Sequence, residues 1–177
     1  MVKAMPADAD RYNDFVKFLL RDYRPEDFEA LWNIDQLCFV PGIAYSRREL
    51  STYFRRRGAF TLVAEQAADG KHQIAGFIVA ELNRRGIGHI ISIDVLPQSR
   101  RTGLGSQLIT AAETRLRRSG CHTVVLETAV DNSAALAFYK RFGYSVASIH
   151  PHYYSNGVDA LGLEKDLTEV ERSRQTG

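Results

Sequence analysis

Apolar and polar positions follow two rhythms along this chain, a period near two and a period near 3.6, and each change of rhythm marks a boundary. A polar leading segment runs from Met1 to about Asn13, and residues 15–23 alternate as a first strand. Arg24-Pro25-Glu26-Asp27 opens a helix, with proline and acids in its first turn. Phe28, Leu31, Trp32, Ile34, Leu37 and Cys38 fall on one face of that helix. Residues 39–45 break the pattern as a loop, and Ser46 is placed to cap a short second helix ending near Phe54. Three strand-like runs follow at 59–66, 73–83 and 88–96. The turns between them, Ala68-Asp69-Gly70-Lys71 and Arg84-Arg85-Gly86, are short enough for antiparallel hairpins.

The rhythm returns to helical over 104–116, with Leu104, Leu108, Ile109, Ala112 and Leu116 facing inward, and Gly120 ends the helix. Residues 124–128 form a short β-branched strand, 132–142 a helix closed by Gly143, and 144–149 and 158–167 the last two strands. The order is β-α-α-β-β-β-α-β-α-β-β, an α/β fold with a mixed sheet. Neither an internal repeat nor a low-complexity tract interrupts it. The expected organisation is a loose segment at 1–14, a single domain at 15–167 and a charged tail at 168–177.

Composition narrows the class. A chain of 177 residues, 45% apolar and 25% charged, has enough material for a proper core. A formal net charge of +2 gives no reason to expect nucleic acid as a partner. Cys38 and Cys121 sit in apolar segments without metal-ligand spacing, and are expected as reduced core residues of a cytoplasmic protein. No metal is expected. The chain has neither an apolar run of membrane-spanning length nor a signal-peptide core, so no membrane association is expected either.

The stretch V-L-P-Q-S-R-R-T-G-L-G, residues 95–105, carries the first chemistry. It places a strand end, a basic glycine turn and a helix start in immediate succession. Gly103 and Gly105 leave the backbone N–H groups open, and the positive end of the helix dipole adds to them where a pyrophosphate would sit. Walker-type phosphate binding is excluded, because no lysine stands between Gly105 and Ser106. The dinucleotide fingerprint is excluded too, because its third glycine is replaced by Leu108. On this local pattern alone, an ordinary strand-to-helix turn with surface arginines is an equal reading.

The element order and Arg100-x-x-Gly103-x-Gly105, together with Asn132-Ser133-Ala134-Ala135-Leu136-Ala137-Phe138-Tyr139 and then Phe142-Gly143-Tyr144, resemble the GCN5-related N-acetyltransferase (GNAT) family. The resemblance covers nearly all of residues 15–167 and implies a mostly antiparallel mixed sheet flanked by helices. Within the family the chain most resembles the ribosomal-protein alanine acetyltransferases and their N-terminal-amine relatives. Cys38-Phe39 with Pro41, Leu126-Glu127, and His152-Tyr153-Tyr154 followed by Asp159 carry that likeness. One departure is Thr102, which stands where many relatives carry a basic or small residue.

The resemblance implies acetyl-CoA as donor and a protein or peptide N-terminus as acceptor, with the N-terminus of a ribosomal protein as the specific case. Arg100, Arg101, Thr102, Gly103, Leu104, Gly105 and Ser106 would hold the pyrophosphate, and the backbone of Ile93, Asp94 and Val95 the pantetheine arm, across a gap between the fourth and fifth strands. Asn132 would cap its helix and reach the pantetheine. Glu127 matches the family's general base, though an outward-facing strand residue is the plainer reading of its position. Tyr139 matches the general acid, against a core tyrosine at helical spacing. Phe39, Pro41, Tyr45, Tyr153 and Tyr154 are candidates to line the peptide channel, or else pack as loop residues; His152 either assists the base through water or sits on the surface. A small-amine or lysine acceptor, and an acyl-CoA-binding module without turnover, are the competing readings.

Overall fold

Seven strands are described: β1 (Phe18–Asp22), β2 (Ala59–Ala68), β3 (Lys71–Leu82), β4 (Ile87–Val95), β5 (Thr123–Ala129), β6 (Ser145–His150) and β7 (Ala160–Asp166). They form one sheet in the order β1-β2-β3-β4-β5-β7-β6, in which only β4 and β5 run parallel. Four helices accompany them, α1 (Phe28–Cys38), α2 (Arg47–Arg55), α3 (Leu104–Arg118) and α4 (Ser133–Arg141). The computed structural model describes residues 18–68 and 71–168. The leading segment, the start of the expected first strand, Asp69 and Gly70 of the first turn, and the tail beyond Thr168 lie outside them.

The mixed α/β architecture and the element order match the sequence expectation, with strand ends shifted by a few residues. β3 shows why its sequence reads as continuously apolar: Ala75 and Phe77 to Ala80 are buried on both faces. Ile78 and Ala80 meet Leu104, Leu108, Ile109, Ala112 and Leu116 of α3 on one face, together with Tyr139 of α4. Phe77 and Val79 meet Leu31, Ile34 and Leu50 of α1 and α2 on the other. Ser46 caps α2 as expected, its Oγ accepting from the Glu49 N–H while Glu49 Oε2 accepts from the Ser46 N–H.

One α1 assignment changes. Leu37 is 66% exposed, whereas Asp35 is buried. The inward stripe runs through Leu31, Ile34, Asp35 and Cys38, which is the i, i+3, i+4, i+7 pattern, and leaves Leu37 to one side. Asp35 is tolerated inside because its Oδ2 accepts the Tyr45 N–H at 2.8 Å and a Gln36 amide N–H at 2.9 Å. The cysteines also part company: Cys121 is buried, while Cys38 is only half-buried at the rim of the cavity described below. Deeper in the α3 face, Glu113 accepts from the Tyr144 hydroxyl at 2.9 Å and from Lys165 Nζ at 2.6 Å, joining α3 to β7.

The sheet opens at its centre. β4 and β5 pair only at Ile87 to His89 against Thr123 to Val125, and then diverge. On its other side β4 stays paired with β3 through Val95, with Ile91 as an extra residue between the Ala80↔Ile90 and Val79↔Ser92 pairs. Ile90 packs toward α3 and Ile91 toward α1, and beyond the bulge the phase has shifted, so that Ile93 and Val95 lie on the α3 side. The two strands are held close at the rim, where a Cβ on Gly76 would lie 2.5 Å from the Asp94 carbonyl oxygen and 3.3 Å from the Val95 Cα. Gly76→Ala is therefore expected to lower stability by ~1–3 kcal/mol, read as a lower denaturant midpoint. An unchanged midpoint would mean the strands accommodate the methyl group at no cost.

Candidate active site

The divergence of β4 and β5 opens a cavity of about 870 Å³. One end is built by the turn into α3. Gly103 has φ +87°, and no atom lies within 4 Å of where its Cβ would be, so the approach to the helix N-terminus is clear. Arg101, also left-handed at φ +62°, Gly105 and Ser106 line the same end. Arg100 joins them, with its Nε donating to the Val95 carbonyl at 3.1 Å. The first N–H groups of α3 have no intrahelical acceptors, so this end can take an anionic, phosphate-bearing group. Ile93 and Val95 line the middle of the cavity, along the β4 edge that β5 has left. Asn132 lines the opposite wall, and its Oδ1 accepts the Ala135 N–H at 3.1 Å as the cap of α4.

Two titratable groups reach the centre from opposite faces of the sheet. Tyr139 comes from the α3/α4 side, 6% exposed, its ring against Phe138 and Tyr144. Burial pushes its pKa upward, so the phenol keeps its proton at neutral pH. Glu127 comes from the α1/α2 side, where its Oε2 lies 2.7 Å from Nε2 of His89. Burial alone would raise the Glu127 carboxyl, but the His89 hydrogen bond and charge outweigh it and hold it below its ordinary value. Burial likewise opposes charge on His89, and its carboxylate neighbours prevail, so its pKa rises. A carboxylate and an imidazole so arranged can take up a proton; a phenol across the gap can give one.

The α1–α2 loop and the β6–β7 loop close this side. Phe39 and Tyr45 line it from the first, Tyr153 and Tyr154 from the second. Tyr45 is pinned three ways: its N–H donates to Asp35, its hydroxyl donates to the Ile91 carbonyl at 3.2 Å, and its carbonyl accepts from Trp32 Nε1 at 3.2 Å. Tyr153 and Tyr154 have pKa values pushed up to about 12, mainly by burial and then by their charged or phenolic neighbours.

A description of the acetyltransferase (GNAT) family matches residues 28–144, more than half of the chain. This chain belongs to the GNAT family. The GNAT chain is 30% identical over 148 residues to an uncharacterized N-acetyltransferase of Methanocaldococcus jannaschii, covering 83% of this chain and 90% of that one. It is 42% identical over 77 residues to N-alpha-acetyltransferase MAK3 of Arabidopsis thaliana, a match spanning 44% of this chain and only 40% of the relative. Among solved structures, it superposes on a chain of the NatC complex bound to Gag peptide and CoA with a TM-score of 0.75. That pair is 25% identical, with 86% of this chain and 99% of the other covered.

Fourteen of the site residues expected from the sequence line the cavity: Phe39, Tyr45, Ile93, Val95, Arg100, Arg101, Gly103, Gly105, Ser106, Glu127, Asn132, Tyr139, Tyr153 and Tyr154. Five do not. Leu104 is buried beneath α3, and the Thr102 hydroxyl donates to the Ser99 carbonyl at 2.7 Å. Pro41 stands outside the cavity on its loop. His152 is an exposed loop residue with φ +51°, its N–H donating to Asp159 Oδ1 at 2.7 Å. Asp94 points away from the cavity edge, toward α1 and beneath Cys38, because the bulge at Ile91 resets the alternation. The residue missed by sequence reasoning is His89. Its one signal is a polar side chain in the apolar run I-G-H-I-I, and only the β4–β5 pairing reveals its partner.

Asp94 is buried with one carboxylate oxygen accepting from the Ser92 hydroxyl at 2.6 Å and the other without a partner among the described residues. Burial pushes its pKa well up despite the Ser92 hydrogen bond, and nearby Asp35, itself raised by burial to about 6, adds repulsion. Unfolded, Asp94 ionises at about 3.9. Above that pH the unfolded chain binds fewer protons than the folded one, so the group lowers stability until the raised folded pKa is passed. Asp94→Asn is expected to be more stable than the parent, with a gain that grows as pH rises from about 4 toward neutrality and above. Urea midpoints at two pH values test this; an equal or shrinking gain would mean that the carboxylate is compensated where it lies.

Proposed function

We propose that this chain is an acetyl-CoA-dependent N-acetyltransferase whose acceptor is the α-amine at the N-terminus of a protein or peptide. The observation that carries the reading is the Glu127–His89 pair on one face of the β4–β5 opening, with Tyr139 on the other. The named relatives support the acceptor class: one is an N-alpha-acetyltransferase, and the NatC structure holds a peptide and CoA. An alanine-starting ribosomal-protein N-terminus is the acceptor we would test first, and the cytoplasm is the compartment that suits two free cysteines.

The cavity fits acetyl-CoA. The open side of Gly103, the N–H groups at the start of α3 and the Arg100 and Arg101 side chains suit its pyrophosphate. The unpaired β4 edge beyond Ile90 suits an extended arm with amide groups, which would complete the ladder that β5 abandons. When bound, acetyl-CoA supplies an activated acetyl group and a thiol leaving group.

The protein's own residues manage the protons. An α-ammonium with a pKa of about 8 arrives mostly protonated at neutral pH and is not a nucleophile in that form. Glu127 is ionised, lines the cavity and takes that proton, with His89 behind it to share the charge. Tyr139 keeps its hydroxyl proton until the sulfur departs and donates it there. Tyr45, Tyr153 and Tyr154 surround the acceptor and exclude water, which favours amine attack over hydrolysis.

With an alanine-starting peptide, Glu127→Gln is expected to lower kcat by ~10²–10³-fold and Tyr139→Phe by ~10–10²-fold, each leaving KM for acetyl-CoA within about twofold. CoA release followed spectroscopically measures both, and an Nα-blocked copy of the peptide should release none. Turnover unchanged in both variants would remove the acid–base assignment. Turnover with the blocked peptide would move the acceptor to a side-chain amine.

A further inference from the structure

His89 is flanked on both sides. Its Nε2 meets Glu127, and its Nδ1 lies 3.8 Å from Oε1 of Glu81, its direct cross-strand neighbour on β3. The same Glu81 oxygen lies 3.5 Å from Nη1 of Arg56, the residue capping the C-terminus of α2. The Arg56 guanidinium stacks 4.3 Å from the centre of the Tyr53 ring, which in turn meets the Tyr45 ring at 5.1 Å. Glu127, His89, Glu81 and Arg56 thus form a file that begins in the cavity and ends at the surface. Glu127, His89 and Glu81 are between 22% and 29% exposed, and Arg56 at the end is 44% exposed.

We propose that Glu81 is a positioning residue for this enzyme: held by Arg56, it fixes His89 from the Nδ1 side and receives the acceptor's proton on its way to solvent. The proposal rests on the reading of Glu127 and His89 as the base. Two flanking carboxylates favour a positive charge on the ring, Glu127 through a hydrogen bond and Glu81 through its charge at 3.8 Å. Glu81 therefore favours the charged ring and makes the pair a stronger base. The transfer balances simply. Starting from the neutral ring with its proton on Nδ1, the acceptor's N–H bond breaks as an O–H bond forms at Glu127; that proton passes to the free Nε2 to give the charged ring. The Nδ1 proton leaves toward Glu81 and bulk water, the ring returns to its first tautomer by exchange with water, and the amine keeps its lone pair.

The groups facing this file are accounted for. β3 contributes Glu81 and β5 contributes Glu127. Beyond Glu127 stand Tyr153 on the β6–β7 loop and His150 at the end of β6. Arg56 approaches from α2 and tempers the field of Glu81 at His89. At 3.8 Å the Glu81–His89 contact is longer than a hydrogen bond, so it acts through charge or a shared water.

The test is a titration of His89 by side-chain NMR, without acceptor, in the parent, Glu81→Gln and Glu81→Asp, set beside the pH profile of kcat/KM for an N-terminal peptide. Glu81→Gln is expected to lower the His89 midpoint by ~0.5–1 pH unit and carry the acid limb of the profile down with it. The plateau should fall several-fold, and Glu81→Asp should restore most of both effects. A purely structural Glu81 would leave both midpoints in place. An unmoved His89 midpoint overturns the proposal, as does a moved midpoint with an unmoved acid limb. If Glu127→Gln turns over at the parent rate in the same assay, the base assignment itself has failed, and the acceptor-free titration separates that failure from the first.

Discussion

Strands in a sheet satisfy their backbone groups on one another, and the central fact of this molecule is a place where that pairing stops. β4 and β5 share a ladder for three residue pairs and then part. The edge from Ile90 to Val95 is held on one side by β3 and, among the described residues, has no strand on the other. Everything chemical gathers around that edge. The turn into α3 lies at its end, Tyr139 and Glu127 look across it from opposite faces, and two tyrosine-bearing loops close the far side. A sheet paired along its whole length would leave no room for a donor and would keep the phenol and the carboxylate in separate layers.

The opening is kept by ordinary packing on both sides. Ile78 and Ile90 face α3, Phe77 and Ile91 face α1, and the bulge at Ile91 shifts the alternation so that Ile93 and Val95 join the α3 side. The same bulge sends Ser92 and Asp94 toward α1, where a carboxyl is enclosed with an incomplete set of partners. The local rules of a stable core are relaxed at the rim of the cavity and obeyed a few ångströms away, which is the usual placing of such departures.

What the sequence made legible was local. The α3 stripe, the Ser46 and Asn132 caps, and the glycine turn with its arginines depend on residues a few positions apart, and each is found where the pattern put it. What escaped was non-local or phase-dependent. His89 is unremarkable until a parallel strand 38 residues away sets Glu127 beside it. Asp94 was read by its backbone, but its side chain follows a bulge that no periodicity announces. Leu37, expected inward from its apolar character, is exposed, and the buried position beside it belongs to Asp35, whose carboxylate accepts the Tyr45 N–H. His152 and Pro41 share loops with cavity residues without sharing their orientation.

The ion pair inside the α3 face has a mechanical side. A stripe of Leu104, Leu108, Ile109, Ala112 and Leu116 resists separation from the sheet but is tolerant of small rolls and slides, since apolar contact has little directionality. Glu113, gripped by Tyr144 and Lys165, is directional. It lies nine residues along α3 from Leu104, or ~14 Å at the helical rise. A rigid helix carries any angle fixed there to its far end, like a rifle barrel clamped well behind the muzzle. The aim of the N–H groups at Gly103–Ser106 is therefore steadied from well along the helix, by a strand that lies outside the cavity.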